Sequence, residues 1–168
     1  VVSVNASETK QSGKVFYISA ANRTDFSVSN PVVASGEKYH TSRIAFWNGR
    51  KAVRNIEVWY ANVWLGADGS ETANASTIPD VRCTFETSGG SQTVLQASGQ
   101  TSASLAPGAW LKFTGSVSIA AGDKFFIRTY REAVVGGNAP QPFITNGTSR
   151  GEGSDYGSTA TTPLANFA

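Results

Sequence analysis

The sequence predicts an all-β protein: a two-sheet antiparallel sandwich, jelly-roll-like, with extended N- and C-terminal arms. Short runs rich in Val, Ile, Phe, Tyr and Trp alternate apolar and polar residues, the period of a half-buried strand. Gly, Asn, Asp and Pro punctuate these runs as turn residues do. No stretch combines helical apolar spacing with caps at both ends. At 168 residues, 40% apolar and 11% aromatic, the chain fits one domain that buries about 70% of its unfolded surface. Residues 1–14 read as an N-terminal arm, 15–135 as the sandwich and 136–168 as a C-terminal arm.

The elements follow in order. Val15-Phe16-Tyr17-Ile18 is the first strand-like run, and Ser42 to Trp47 is the second. Asn48-Gly49 comes next and predicts a type I′ hairpin, whose two central residues need φ > 0. The return strand carries Ile56, Val58 and Tyr60 on one face and Glu57 and Trp59 on the other. Gly66 to Ala75 reads as a loop. Val81, Cys83 and Phe85 point inward from a strand that ends at Glu86. The turn Ser88-Gly89-Gly90-Ser91 leads into Thr93 to Gln96, and Pro107-Gly108 precedes Trp110 to Phe113. Val117 and Ile119 continue that pattern to the turn Ala121-Gly122-Asp123. Lys124 to Arg131 is the clearest strand, dense in aromatic and β-branched residues. Beyond Gly136-Gly137 the chain is polar, and Pro140, Pro142 and Pro163 interrupt it.

Composition narrows the chemistry. The chain has one His (His40), one Cys (Cys83) and no Met. Nucleophilic catalysis needs a base beside the nucleophile, and zinc sites need clustered His or Cys. His40 lies on a polar approach to a strand and reads as a surface or strand-edge residue, and no Gly-x-Ser-x-Gly elbow occurs. Glu57, Asp68, Glu71, Asp80 and Glu86 are scattered, so a paired-carboxylate glycosidase is disfavoured. Asp68-Gly69-Ser70-Glu71 lacks the acid spacing of an EF-hand loop. No catalytic residue, metal or cofactor is therefore expected.

Cys83 alternates with core residues and reads as a small buried hydrophobe; a single Cys forms no intrachain disulfide. Fourteen Lys and Arg against twelve Asp and Glu leave a net charge of +2, short of a nucleic-acid footprint. No apolar run approaches the roughly 20 residues that span a bilayer. Val1-Val2-Ser3-Val4-Asn5 has no signal-peptide pattern, which predicts folding in a cytoplasm. Four Asn-x-Ser/Thr sequons, at Asn5, Asn22, Asn74 and Asn146, are discounted on that ground.

Two groups of residues stand out as candidates for binding. Arg43, Arg50, Lys51 and Arg54 gather around Asn48-Gly49, flanked by Trp47 and Trp59. They form an expected electropositive aromatic patch for sugar, nucleic acid or an acidic protein surface, nucleic acid being the weakest of the three at this net charge, against the alternative of solvated charge that protects a strand edge. Trp47, Trp59 or Trp64 would supply a stacking platform. In the C-terminal arm, Phe143, Ile144, Leu164 and Phe167 are the apolar anchors through which the arm would hold a neighbour.

Several segments resemble a β-sandwich module of tailed-bacteriophage virion proteins, similar to modules that precede SGNH-type esterase domains. They are Thr41-Ser42-Arg43, the strand Ile56 to Asn62, the loop Gly66 to Thr72, Val117-Ser118-Ile119 and the strand Gly122 to Tyr130. The esterase elements Gly-Asp-Ser and Asp-x-x-His are missing, so the resemblance carries no catalysis. It implies a non-enzymatic virion subunit, foremost a decoration or cement protein. That subunit would bind the major capsid protein as a homotrimer on the capsid surface, after assembly in the host cytoplasm. The alternative is a carbohydrate- or receptor-binding module of a tail fibre or of an SGNH-esterase-associated protein.

Overall fold

Alternating side chains can bury one face of a strand only if a second sheet covers it, and the chain is arranged to supply that cover. The computed structural model describes residues 2–7, 17–19, 32–65, 70–139 and 153–157. Its strands are β1 (Val2–Ser7), β2 (Tyr17–Ser19), β3 (Tyr39–Trp47), β4 (Val53–Ala61), β5 (Val63–Leu65) and β6 (Glu71–Ala73). They continue with β7 (Ile78–Thr87), β8 (Gln92–Val94), β9 (Ala103–Leu105), β10 (Trp110–Ile119), β11 (Lys124–Glu132) and β12 (Gly153–Gly157). A 3-10 turn at Ser35–Glu37 is the one helical element among the described residues.

The strands form an all-β sandwich, compatible with a jelly roll. A four-stranded sheet has the order β10-β4-β1-β2. A six-stranded sheet has the order β12-β3-β11-β7-β8, with β9 also on β7. Every pairing is antiparallel. Ile56, Val58 and Tyr60 of β4 and Phe113, Val117 and Ile119 of β10 meet Ile44 and Phe46 of β3, Val81, Cys83 and Phe85 of β7, and Phe125 and Ile127 of β11 in one core. The inward rows read from the sequence are thus the buried ones. Both chain ends contribute strands: β1 lies between β4 and β2, and β12 adds to the edge of β3.

Asn48-Gly49 is not a hairpin turn. β3 belongs to the six-stranded sheet and β4 to the four-stranded one, so the dipeptide starts a crossing between sheets. Gly49 is not among the left-handed glycines Gly90, Gly99, Gly108, Gly122 and Gly136. The Asn48 side chain serves the crossing instead. Its Nδ2 donates to the carbonyls of Lys51 (2.8 Å), Ala120 (2.8 Å) and Ile119 (3.3 Å). Its backbone NH donates to Asp123 O, and Gly122 NH donates to Gly49 O. The β3–β4 and β10–β11 crossings are thereby tied together.

Asn62 does the equivalent work at the other end of β4. Its Nδ2 donates to the carbonyls of Ser76 (2.8 Å), Leu105 (3.2 Å) and Ala106 (3.2 Å), and its own carbonyl accepts from Asn74 and Gly108 NH. The segment expected to be a loop from Gly66 to Ala75 contains β6, which pairs with β5 as a separate ribbon. Residues 66–69, including Asp68, lie outside the described residues.

The turns at Ser88-Gly89-Gly90-Ser91, Pro107-Gly108 and Ala121-Gly122-Asp123 are present. Only the first closes a hairpin, between β7 and β8; the other two carry the chain between sheets.

Candidate functional site

The outer face of the four-stranded sheet is built by the same alternation that builds the core. Along β10, Phe113, Val117 and Ile119 face in, so Trp110, Lys112, Thr114 and Ser116 face out. On β4, Asn55, Glu57 and Trp59 form the matching outward row, and the register sets Trp59 opposite Lys112, Glu57 opposite Thr114, and Asn55 opposite Ser116. Lys112 Nζ lies 3.5 Å from Glu57 Oε1 and 5.5 Å from the centre of the Trp59 ring. Trp110 stands two places along β10 from the residue opposite Trp59, the diagonal spacing of about 7–8 Å over which large side chains interact. Trp110 is 43% exposed.

Two features border this face. Between Ser116 and Ile119, β10 carries one residue more than β4 does between Asn55 and Val53. Such a bulge kinks the strand and re-aims its side chains. Beside it, at the seam between the two sheets, opens a cleft of about 580 Å³, lined by Arg54, Asn55, Ser116 and Ser118 of the four-stranded sheet, Thr87 and Thr93 of the six-stranded one, and the inward-facing Phe85 and Val117. The second feature is Gln96, which exchanges backbone hydrogen bonds with Thr114 (2.9 and 2.8 Å). Gly115 makes this approach feasible, because a Cβ there would collide with Leu95 Cδ2, and Leu95 is fully buried. A second hollow, lined by Asn55, Glu57, Gln96, Thr114 and Ser116, shares Asn55 and Ser116 with the first.

The residues expected to form one cationic aromatic patch are dispersed. Arg43 and Trp47 lie on the outer face of the six-stranded sheet. There Arg43 donates to Glu86 through Nε (3.0 Å) and Nη2 (2.6 Å) and stacks on Phe126, and Lys124 sits over Trp47. Arg50 and Lys51 are exposed on the β3–β4 crossing, and Arg54 is at the mouth of the cleft. Trp59 is on the opposite face of the sandwich from Trp47, and Trp64 is half-buried in the β5–β6 ribbon. Phe143, Ile144, Leu164 and Phe167 lie outside the described residues. Trp110 and Lys112 were not singled out from the sequence. The signal was there, since Trp110 shares its parity with Lys112, Thr114 and Ser116 and not with Phe113.

His40 is a buried residue, contrary to the surface position expected of it. It is 1% exposed on the inner face of β3, opposite Arg131 of β11. Burial, with the Arg131 charge added to it, lowers the His40 pKa to about 3. Such an imidazole is neutral and sequestered at neutral pH, which does not suit general-base catalysis on a bound substrate. Nearby, Ser42 Oγ and Thr129 Oγ1 share a 2.5 Å hydrogen bond. Burial pushes the Tyr60 hydroxyl up to about 12, with Arg131 opposing, and drives the buried Cys83 thiol far above its ordinary range. Among the described residues, no group of three or more His, Cys, Asp or Glu gathers to hold a metal ion, and no helix is long and apolar enough to cross a membrane.

Compared with protein-family models, curated proteins and solved structures, the chain matches none of them.

Proposed function

We propose that this chain is a non-enzymatic structural subunit of a tailed-bacteriophage virion, a decoration protein that binds the major capsid protein and works as a homotrimer. The observation that carries this reading is the use of the chain ends as added strands. β1 and β2 come from one end and extend the sheet beyond β4, and β12 comes from the other and pairs with β3. Strand addition works through main-chain hydrogen bonds, so the same segments can join one subunit to a symmetric neighbour. The virion resemblance of residues 41–43, 56–62 and 122–130 supports the same reading. So does the burial of His40, the lone imidazole, among core residues.

The test is the particle itself. Mass spectrometry of purified virions whose genome encodes this chain should find it in stoichiometric amounts. Purified protein should also co-sediment, saturably, with capsids assembled without it. Absence from the particle overturns the proposal.

A further inference from the structure

We infer that the outer face of the four-stranded sheet is a binding track for a neutral oligosaccharide. It runs from Trp110 and Trp59, past Glu57 and Lys112, into the cleft beside Ser116 and Arg54. From Trp110 to Ser118 the outward row of β10 spans eight residue steps, about 27 Å at the rise of an antiparallel strand. That length fits several sugar rings laid end to end, rather than one small molecule.

Chemistry selects the occupant. A pyranose offers an apolar C–H face and a rim of hydroxyls that both donate and accept. Indoles on a rigid strand match the first, as large flat apolar surfaces with little conformational freedom to lose. Asn55, Gln96, Thr114 and Ser116 match the second, since amides and hydroxyls likewise donate and accept. Ser116 Oγ already lies 3.3 Å from Asn55 Oδ1, and Thr114 Oγ1 lies 3.4 Å from Gln96 O. These are weak contacts that a ligand hydroxyl can replace at small cost.

Charge excludes the obvious competitor. Lys112 is set against Glu57, so among the described residues that line the track Arg54 is left as the net charge, whereas a polyanion needs a row of cations along its backbone. Both hollows are open to solvent rather than enclosed, as a polymer lying along a sheet requires. The outer face of the other sheet is a poorer platform, because Arg43, Glu86 and Arg128 occupy it as a charged cluster engaged with one another.

The experiment is isothermal titration calorimetry of the whole chain against cellohexaose, maltohexaose and N-acetylchitohexaose, each to about 10 mM, with a single-stranded oligothymidine as the anionic control. At least one hexasaccharide should bind. Trp110→Ala and Trp59→Ala should each weaken it about tenfold or more, the loss expected when a central aromatic anchor is truncated. Trp47→Ala, on the opposite face, should leave the affinity within twofold. Urea midpoints of the three variants establish that each is folded, and Trp110→Ala, at an exposed position, supplies the decisive comparison if Trp59→Ala unfolds. No heat with any of the three sugars overturns the proposal. So does binding that Trp110→Ala leaves intact, or a preference for the oligothymidine.

Discussion

Arg43 reaches across a whole strand to hold Glu86. Arg43 is on β3, Glu86 is on β7, and β11 runs between them. The guanidinium lies over Phe126 of that middle strand, its Cζ 3.4 Å from the ring centre, and makes a two-pronged contact with the carboxylate. Arg128 Nε reaches the same carboxylate at 2.6 Å. Glu86 is only 4% exposed, and the Arg43 hydrogen bond, with the Arg128 charge, holds its pKa below the usual carboxylate range despite desolvation.

Removing the acid should therefore cost more than removing a surface ion pair. Glu86→Ala removes the buried carboxylate that Arg43 and Arg128 both contact, and we expect a loss of about 2–3 kcal/mol. Lys112→Ala, which breaks the exposed pair with Glu57, should cost less than about 1 kcal/mol. Urea denaturation of the two variants checks the contrast.

The two corner asparagines predict a matched pair of losses. Each uses its Nδ2 to satisfy carbonyls from crossings remote in sequence, and each is buried. Alanine at either site strands those carbonyls, so Asn48→Ala and Asn62→Ala should each destabilise by about 1–3 kcal/mol. Aspartate should restore neither, because an ionised carboxylate cannot donate. A midpoint unchanged from wild type in either alanine variant would show that water replaces the side chain.

Two glycines should behave oppositely. A Cβ built at Gly49 meets nothing within 4 Å, and the backbone there is not left-handed. Gly49→Val should thus shift stability by no more than about 0.5 kcal/mol. Gly115→Ala drives a methyl into buried Leu95 and should cost about 1–3 kcal/mol. Combining it with Leu95→Ala should relieve the clash, so the pair should be strongly non-additive in a double-mutant cycle.

His40 predicts an acid-sensitive fold. Its pKa falls to about 3 in the folded chain and lies near 6.5 in the unfolded one. Between those values the unfolded state binds a proton that the folded state does not. Stability therefore falls as pH drops through this window, by up to about 1.4 kcal/mol per pH unit. Glu86, whose pKa is lowered as well, acts with the same sign, and its stabilisation is lost only as pH falls below its unfolded value of about 4.3. Chemical denaturation between about pH 4.5 and pH 6.5 isolates the histidine. His40→Leu should flatten the profile there; a profile parallel to wild type would place the sensitivity elsewhere.

The amino-acid sequence alone determined the class of fold and which side of each long strand faces the core. Alternation is a local property: once Val58 and Tyr60 are inward, Glu57 and Trp59 must be outward, whatever the strand pairs with. The same rule placed Trp110 outward with Lys112. Which strands share a sheet was decided only in three dimensions. Asn48-Gly49 has hairpin chemistry, but a hairpin there would pair β3 with β4. In the fold β3 pairs with β11 and β12, and β4 with β1 and β10, so long-range pairing overrides the turn preference. That choice sends Trp47 and Trp59 to opposite faces and disperses the expected patch. It also brings Trp59 beside Trp110, from strands some fifty residues apart, because cross-strand neighbours are set by register rather than by distance along the chain. His40 was misread for the same reason: polar neighbours in sequence say nothing of the sheet that closes over them.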